Sequence, residues 1–146
     1  DSSTSRGLGD VYKRQSPRQL YDAPANHFVA DFIGEANLIP CDVIDVSNEM
    51  AKIDVRGFVH KLPANGRSAG PATLAVRPSR LDIKAKAGIK ATVRKATYVG
   101  NRMEYSLHIG GLDVFAVHDD VNNPLSIDEE IHLGLFETGP VLLPAL

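Results

Sequence analysis

The residues best suited to acid–base or metal chemistry are five histidines, His27, His60, His108, His118 and His132. They are scattered. No H-E-x-x-H or C-x-x-C spacing sets ligands together, so each reads as a surface or hydrogen-bonded residue and no metal site is expected. His118-Asp119-Asp120 places an imidazole beside two carboxylates, a grouping that general acid–base catalysis could use. Consecutive residues at a strand end point different ways, however, and no nucleophile is near in sequence. A solvated turn is the better account, and Glu129-Glu130 likewise reads as the wet start of a strand. A second cluster, Arg94, Lys95, Tyr98, Arg102 and Tyr105, mixes cations with aromatic rings as single-stranded nucleic-acid binders do. Against that reading stand a formal net charge of −2, no tryptophan, and only five Phe and four Tyr, so no nucleic acid is expected as a partner. No G-x-x-x-x-G-K-[ST] loop is present to cradle nucleotide phosphates. The chain is therefore expected to hold no cofactor and to carry no catalytic residue of its own.

The elements that would position such residues are mostly strands. At 146 residues, 43% hydrophobic and 23% charged, the chain can hold one domain or two small β-units sharing a core. Its apolar runs fall far short of the ~20 residues that span a bilayer as a helix. The single cysteine, Cys41, reads as a small buried apolar group and leaves no internal disulfide. Residues 37–46 and 51–55 read as strands around a turn at Ser47-Asn48, with Ala51, Ile53 and Val55 alternating against Lys52, Asp54 and Arg56. Gly57 then flips the parity through a bulge or tight bend. Residues 63–71 form the clearest loop. A strand over 73–77 ends at Pro78, which leaves Arg77 at a strand terminus. Residues 85–88 form a further turn.

Further on, Met103, Tyr105, Leu107 and Ile109 alternate with polar residues, and Gly110-Gly111 turns the chain into residues 112–117 as a two-residue hairpin. Ile131, Leu133 and Leu135 mark a strand over 130–136, and residues 141–146 are apolar enough to require a docking site. Many short strands with glycine-rich turns point to a mainly β chain built of small barrels.

Ahead of these strands lies the stretch SPRQLYDAPANHFVADFIG, residues 16–34. Ser16, Pro17 and Gln19 form a capping box with proline at the first helical position. Pro24 ends that short helix and opens a second, in which Ala25, Phe28, Val29, Phe32 and Ile33 make one apolar stripe and Gly34 provides the stop. Fully burying Phe28, Val29, Phe32 and Ile33 is worth roughly 6–12 kcal/mol, comparable to the stability of a whole domain. The stripe must therefore dock, either over the β-region behind it or against a neighbour ahead of it.

The string SPRQLYDAPANHFVADFIGEANLI resembles the segment by which the ATPase domain of an ABC importer leads into its C-terminal TOBE (transport-associated OB) region, in the polyamine and ferric-iron branch. Ser16, Pro17, Tyr21, Pro24, Phe28, Val29, Ala30, Phe32, Gly34 and Asn37 stand at matching positions of G-[ST]-P-x-x-[IL]-Y-x-x-P-x-x-x-F-V-A-x-F-[IL]-G-x-x-N. LAVRPSRLDI (74–83) is similar to the family's L-x-[VI]-R-P-E segment, with Ser79 in place of Glu, and Tyr98-Val99-Gly100 to its Y-[LV]-G. The resemblance implies two small OB-like barrel units over residues 37–146, preceded by a helical lead-in over 16–36. Residues 1–15 are expected to be a disordered tail, similar to a recurrent foreign tail on environmental reading frames and not native to the protein.

It further implies a regulatory and dimerisation portion of an ATP-binding subunit, with a polyamine as the first choice of solute and ferric iron as the second. ATP and magnesium would bind only in the parent subunit's ATPase domain, which this chain lacks. The partners would be that domain, a second copy as a homodimer and the membrane permease, at the cytoplasmic face of a bacterial plasma membrane. Tyr21, Pro24, Phe28, Val29, Phe32, Ile33, Gly34, Arg77, Pro78 and Gly100 are the residues expected to serve the interfaces. The rival reading is a free-standing OB-type binder of a small oxyanion or an oligonucleotide.

Overall fold

The computed structural model describes residues 34–146. The expected tail over 1–15 and the helical lead-in, with Tyr21, Pro24, Phe28, Val29, Phe32 and Ile33, lie outside the described residues. Ten strands follow: β1 (Asn37–Ser47), β2 (Met50–Val55), β3 (Phe58–Pro63), β4 (Gly70–Val76), β5 (Leu81–Ala85), β6 (Ile89–Tyr98), β7 (Met103–Ile109), β8 (Leu112–His118), β9 (Glu130–Leu135) and β10 (Val141–Pro144). They make two five-stranded sheets, ordered β10-β4-β1-β2-β3 and β5-β9-β6-β7-β8. Every pairing is antiparallel. Edge strands β3 and β10 approach one another, as do β5 and β8, so each sheet curls toward closure as a small barrel.

The apolar tail expected to need a docking site finds it on β4, where Val141–Pro144 pair with Ala75–Ala72. Barrel one is thus completed by a strand that arrives only after barrel two has been built.

Alternation dictates the interior. Ile39, Ala51, Ile53, Val55, Leu62, Leu74 and Leu142 are buried in barrel one, and Leu81, Ile89, Val93, Leu107, Ile109 and Leu133 in barrel two, all within one continuous apolar cluster. Two-residue turns close the hairpins. Gly110 and Gly111 take the left-handed φ values of 50° and 89° that such a turn demands. The parity flip expected at Gly57 has the same cause, since Arg56 and Gly57 at φ 52° and 91° join β2 to β3. The first turn sits one residue later than its sequence suggests, at Asn48 and Glu49, and the Glu49 carbonyl accepts the Ala64 N–H at 2.8 Å.

Three departures have physical reasons. The loop expected over 63–71 contributes Gly70 and Pro71 to β4. Pro71 lies beyond the end of β10, whose pairing stops at Ala72, so its missing N–H is tolerated there. Strand β6 has no counterpart among the sequence expectations because a bulge between Val93 and Lys95 breaks its alternation. Val93 turns that bulge to use, pairing its N–H and carbonyl with Glu129 and Asp128 at 2.9 and 2.7 Å. Strand β5 is only five residues long, too short for its pattern to stand out.

His60 on β3 is half-buried beside Phe58, their ring centroids 6.1 Å apart and nearly parallel. Its Nε2 is buried, and burial lowers its pKa from 6.5 because an imidazolium there would lose solvation. The unfolded chain therefore takes up the proton first as pH falls below 6.5, so stability is full above that value and declines beneath it. The decline levels off once pH is below the folded pKa. Urea titrations between about pH 5 and pH 8 should show a shallower acid-side loss in His60→Phe than in the parent, and equal slopes would refute the assignment.

Candidate functional site: the joint between the barrels

Strand β1 begins at Asn37, directly after Glu35 and Ala36, and its first pairing is with Val76 at the end of β4. The Asn37 carboxamide carries a donor and an acceptor, as a peptide group does, and it acts as one. Its Nδ2 donates to the Val76 carbonyl at 3.2 Å and to the Phe115 carbonyl at 2.8 Å, while its Oδ1 accepts the Phe115 N–H at 2.8 Å. One side chain thereby ties β1 and β4 of barrel one to edge strand β8 of barrel two. Leucine could supply none of these bonds, and aspartate could only accept.

Next to it, the Arg77 Nε lies 3.9 Å from the Glu35 carboxylate, a long and largely exposed pair of modest worth. Arg77 is extended, at φ −69° and ψ 151°, as a residue before proline should be. Pro78 then opens a 3-10 turn over Pro78–Arg80 that packs against β8. Ser79, which stands where the motif has Glu, lies mid-turn, and the turn has no acidic residue at its start. Arg80 reaches the β9–β10 loop, where its Nη2 donates to the Thr138 hydroxyl at 3.5 Å. Gly139 there takes φ +115°, and a Cβ on it would fall 2.8 Å from Cγ of Arg80. Glu35, both barrels and the crossover that returns to barrel one therefore converge on one small region.

The other residues singled out from sequence do not gather here. Gly34 and Glu35 have helical backbone, so the expected stop at Gly34 falls two residues later, at the Ala36 bend. Gly100 takes φ +93° in the β6–β7 turn, where the Val99 N–H donates to the Arg102 carbonyl at 3.0 Å.

The cationic and aromatic cluster is dispersed. Tyr105 is a core residue, 2% exposed, whose hydroxyl accepts the Leu125 N–H at 3.0 Å, so it cannot stack on a ligand. Arg94 lies 3.8 Å from Asp128 and Arg102 lies 3.1 Å from Glu104. Cys41 is buried as expected, and desolvation, with help from Asp42 and Asp54, pushes its thiol up to about 11, far from nucleophilic.

His118-Asp119-Asp120 is the turn its sequence suggested. The Asp120 N–H donates to His118 Nδ1 at 3.0 Å, and the Asp120 carboxylate accepts N–H groups of Asn122 and Asn123 at 3.1 and 3.2 Å. The Asn123 side chain, foremost, and these backbone donors hold that carboxyl below its ordinary pKa.

A polar depression of about 340 Å³ on barrel two is lined by Lys90, Thr92, His108, Glu130 and His132. Both imidazole nitrogens of His108 are occupied within the hairpin. Its Nε2 accepts the Gly111 N–H at 3.2 Å, which leaves Nδ1 to donate to Asp113 at 2.9 Å. No group of three or more His, Cys, Asp or Glu among the described residues could hold a metal ion. No helix among the described residues is long and apolar enough to cross a membrane, which says nothing of β-barrels.

Asn37→Ala should lower stability by about 1–3 kcal/mol, from three bonds at about 0.5–1.5 each with solvent replacing part of the loss. Asn37→Asp should recover only a fraction, because the donor is the missing half. Urea unfolding of the two variants checks this, and a parent-like midpoint for Asn37→Ala would show that the barrels do not depend on the bridge.

Two curled five-stranded sheets joined at a hydrogen-bonded corner define a β-module of the OB-like class. Residues 74–143 match the sequence profile of the TOBE domain. Fe(3+) ions import ATP-binding protein FbpC of Brucella abortus is 38% identical over 127 residues, covering 86% of this chain and 36% of that protein. FbpC of Rhizobium etli is 38% identical over 139 residues, covering 94% of this chain and 39% of the relative. The spermidine/putrescine import ATP-binding protein PotA of Ruegeria pomeroyi is 33% identical over 119 residues, covering 80% of this chain and 32% of that protein. Among solved structures, the cytoplasmic molybdate-binding protein ModG superposes with a TM-score of 0.55 at 15% identity, covering 74% of this chain and 95% of ModG, a likeness of fold. The chain thus matches a TOBE domain over residues 74–143 and is similar along most of its length to import ATP-binding proteins. It spans about a third of the length of the relatives it matches, from 32% for PotA to 39% for the Rhizobium etli protein.

Proposed function

We propose that this chain is the regulatory and dimerisation portion of an importer's ATP-binding subunit, and that it works by holding two copies of an ATPase domain in register while they open and close around nucleotide. ATP and magnesium belong to that ATPase domain, and the other partners are a second copy of the chain and the membrane permease, at the cytoplasmic face of a bacterial plasma membrane. The observation that carries the reading is the similarity to import ATP-binding subunits along 86% and 94% of the chain. The joint suits the role. A domain placed ahead of Glu35 would connect through Asn37 to both barrels at once, with Arg77 and Pro78 beside the connection. Phe115, 60% exposed on the strand that Asn37 grips, offers an apolar anchor facing away from the core. As solute, ferric iron is put ahead of a polyamine on the 38% identity to FbpC of Brucella abortus and of Rhizobium etli against 33% to PotA, the FbpC relatives ranging from 31% to 38%.

The experiment is a pair of chimeras in which residues 16–146 replace the matching portion of Brucella abortus FbpC and of Ruegeria pomeroyi PotA. The expected result is restored iron uptake by the first and weaker or absent polyamine uptake by the second. Failure of both, together with a chain that stays monomeric in sedimentation equilibrium and binds an oligopyrimidine tightly, would establish the free-standing binder instead. That rival is the free OB-type binder of an oxyanion or oligonucleotide.

A further inference from the structure

Edge strands β8 and β10 are each finished by an asparagine side chain. Asn37 serves β8 through both backbone groups of Phe115. On barrel one the Asn65 Nδ2 donates to the carbonyl of Leu142, on β10, at 2.8 Å. β10 is the outermost strand on one side of its sheet and β3 the outermost on the other, and Asn65 follows soon after β3 ends at Pro63. The bond therefore crosses the seam at which barrel one curls shut, and it fastens the strand that arrives last. Its donor sits in a tight turn, in which the Arg67 N–H donates to the Ala64 carbonyl at 2.9 Å. Asn65 and Gly66 fill the turn at φ 53° and 77°, the left-handed pair of conformations that Asn-Gly adopts most readily.

The same two residues carry a chemistry. The backbone nitrogen after an asparagine can attack that residue's own carboxamide, and a side chain on the following residue obstructs the approach. Gly66 has none. Among all the asparagines of the chain only Asn65 precedes a glycine, and both residues are exposed. We propose that Asn65 is a site of spontaneous covalent modification, and that its conversion to aspartate or isoaspartate unfastens β10. The Gly66 nitrogen bonds to Cγ of Asn65, the carboxamide nitrogen leaves as ammonia with the proton that Gly66 gives up, and water opens the resulting cyclic imide at either carbonyl. The product carboxylate can only accept hydrogen bonds, so the part-buried Leu142 carbonyl loses its donor and faces a negative charge instead. In the β-linked isomer the backbone also gains a methylene within the turn that the Arg67–Ala64 bond closes. Loosening β10 leaves β4 as an open edge, the kind of surface on which a strand of another copy pairs. The joint at Asn37 is spared, because the branched Leu38 follows it.

The test ages the folded 146-residue chain at mildly alkaline pH and digests it with trypsin, which cuts after Lys61 and Arg67 and releases residues 62–67. Beyond a zero-time digest, that peptide should gain the mass of an amide-to-acid exchange and split into two chromatographic species, aspartyl and isoaspartyl. The peptide holding Asn48 should stay unchanged. Asn48 is the internal control, since it takes the same φ of 53° but is followed by Glu49. In hydrogen exchange, residues 141–146 of Asn65→Asp should exchange at least about fivefold faster than in the parent, for the loss of one donor to a part-buried carbonyl. The converted fraction of aged parent, separated by anion exchange, should show the same acceleration. An Asn65 that stays intact in the folded chain while the isolated peptide converts would overturn the proposal, because the turn would then forbid the attack. Parent-like exchange of residues 141–146 in both Asn65→Asp and the converted parent would overturn it as well, since the bond to Leu142 would then hold nothing in place.

Discussion

Gly88→Ala is expected to lower the melting temperature by about 10 °C, from a cost of about 3 kcal/mol in a chain of this size. Gly88 precedes β6, whose first residue Ile89 pairs with Leu133, so its backbone lies against β9 at van der Waals distance. A Cβ there would stand 2.3 Å from the Leu133 carbonyl oxygen and 2.7 Å from its carbon. Backbone in mid-sheet cannot swing aside as a side-chain tip can, so the β5–β6 turn would have to lift off β9. Gly134 shows the same crowding from the other direction, its built Cβ 2.7 Å from that of Ala85. Space is therefore what Gly88 supplies. Gly34→Ala is the control, since a Cβ at Gly34 meets nothing within 4 Å. Calorimetry of the two variants decides it, and a Gly88→Ala protein melting within about 2 °C of the parent would mean the turn has slack.

What the sequence made legible follows from the range of the forces involved. Alternation along β2, β7 and β9 and the paired glycines of the β7–β8 turn act within a few residues, so strands, hairpin and the mainly β class could be read directly. The joint could not. A lone asparagine ordinarily marks a turn or cap, and nothing local distinguishes Asn37 from one. Its role depends on Phe115, 78 positions away. The one available signal was its place in the resemblance motif, three residues after Gly34. Tyr105 carried two signals, its alternation with Met103, Leu107 and Ile109, which the burial of all four bears out, and its closeness to Arg102. Beside Arg102 in sequence it looks like part of a binding surface, whereas pairing to Ala96 and Ala116 turns it inward. Strand β6 was hidden by its own bulge, because one inserted residue at Arg94 moves every later side chain to the opposite face.

Leu74→Ala should cost about 2–5 kcal/mol, the usual range for emptying a filled aliphatic site, and where that loss is felt tests how the barrels depend on each other. Leu74 is fully buried on β4 and lies in register with Ile39 on one side and Leu142 on the other. Leu142 belongs to β10, and β10 can take its place only when β9, a strand of barrel two, has delivered the chain to it. The apolar cluster likewise runs without interruption from one barrel to the other. A cavity at Leu74 should therefore loosen both barrels together. In hydrogen exchange followed by mass spectrometry, peptides from β2–β3 and from β6–β7 should both speed up by about a hundredfold for a loss near 3 kcal/mol. Protection retained in β6–β7 while β2–β3 is lost would mean that barrel two stands alone, and that the returning strand fastens barrel one without linking their stabilities.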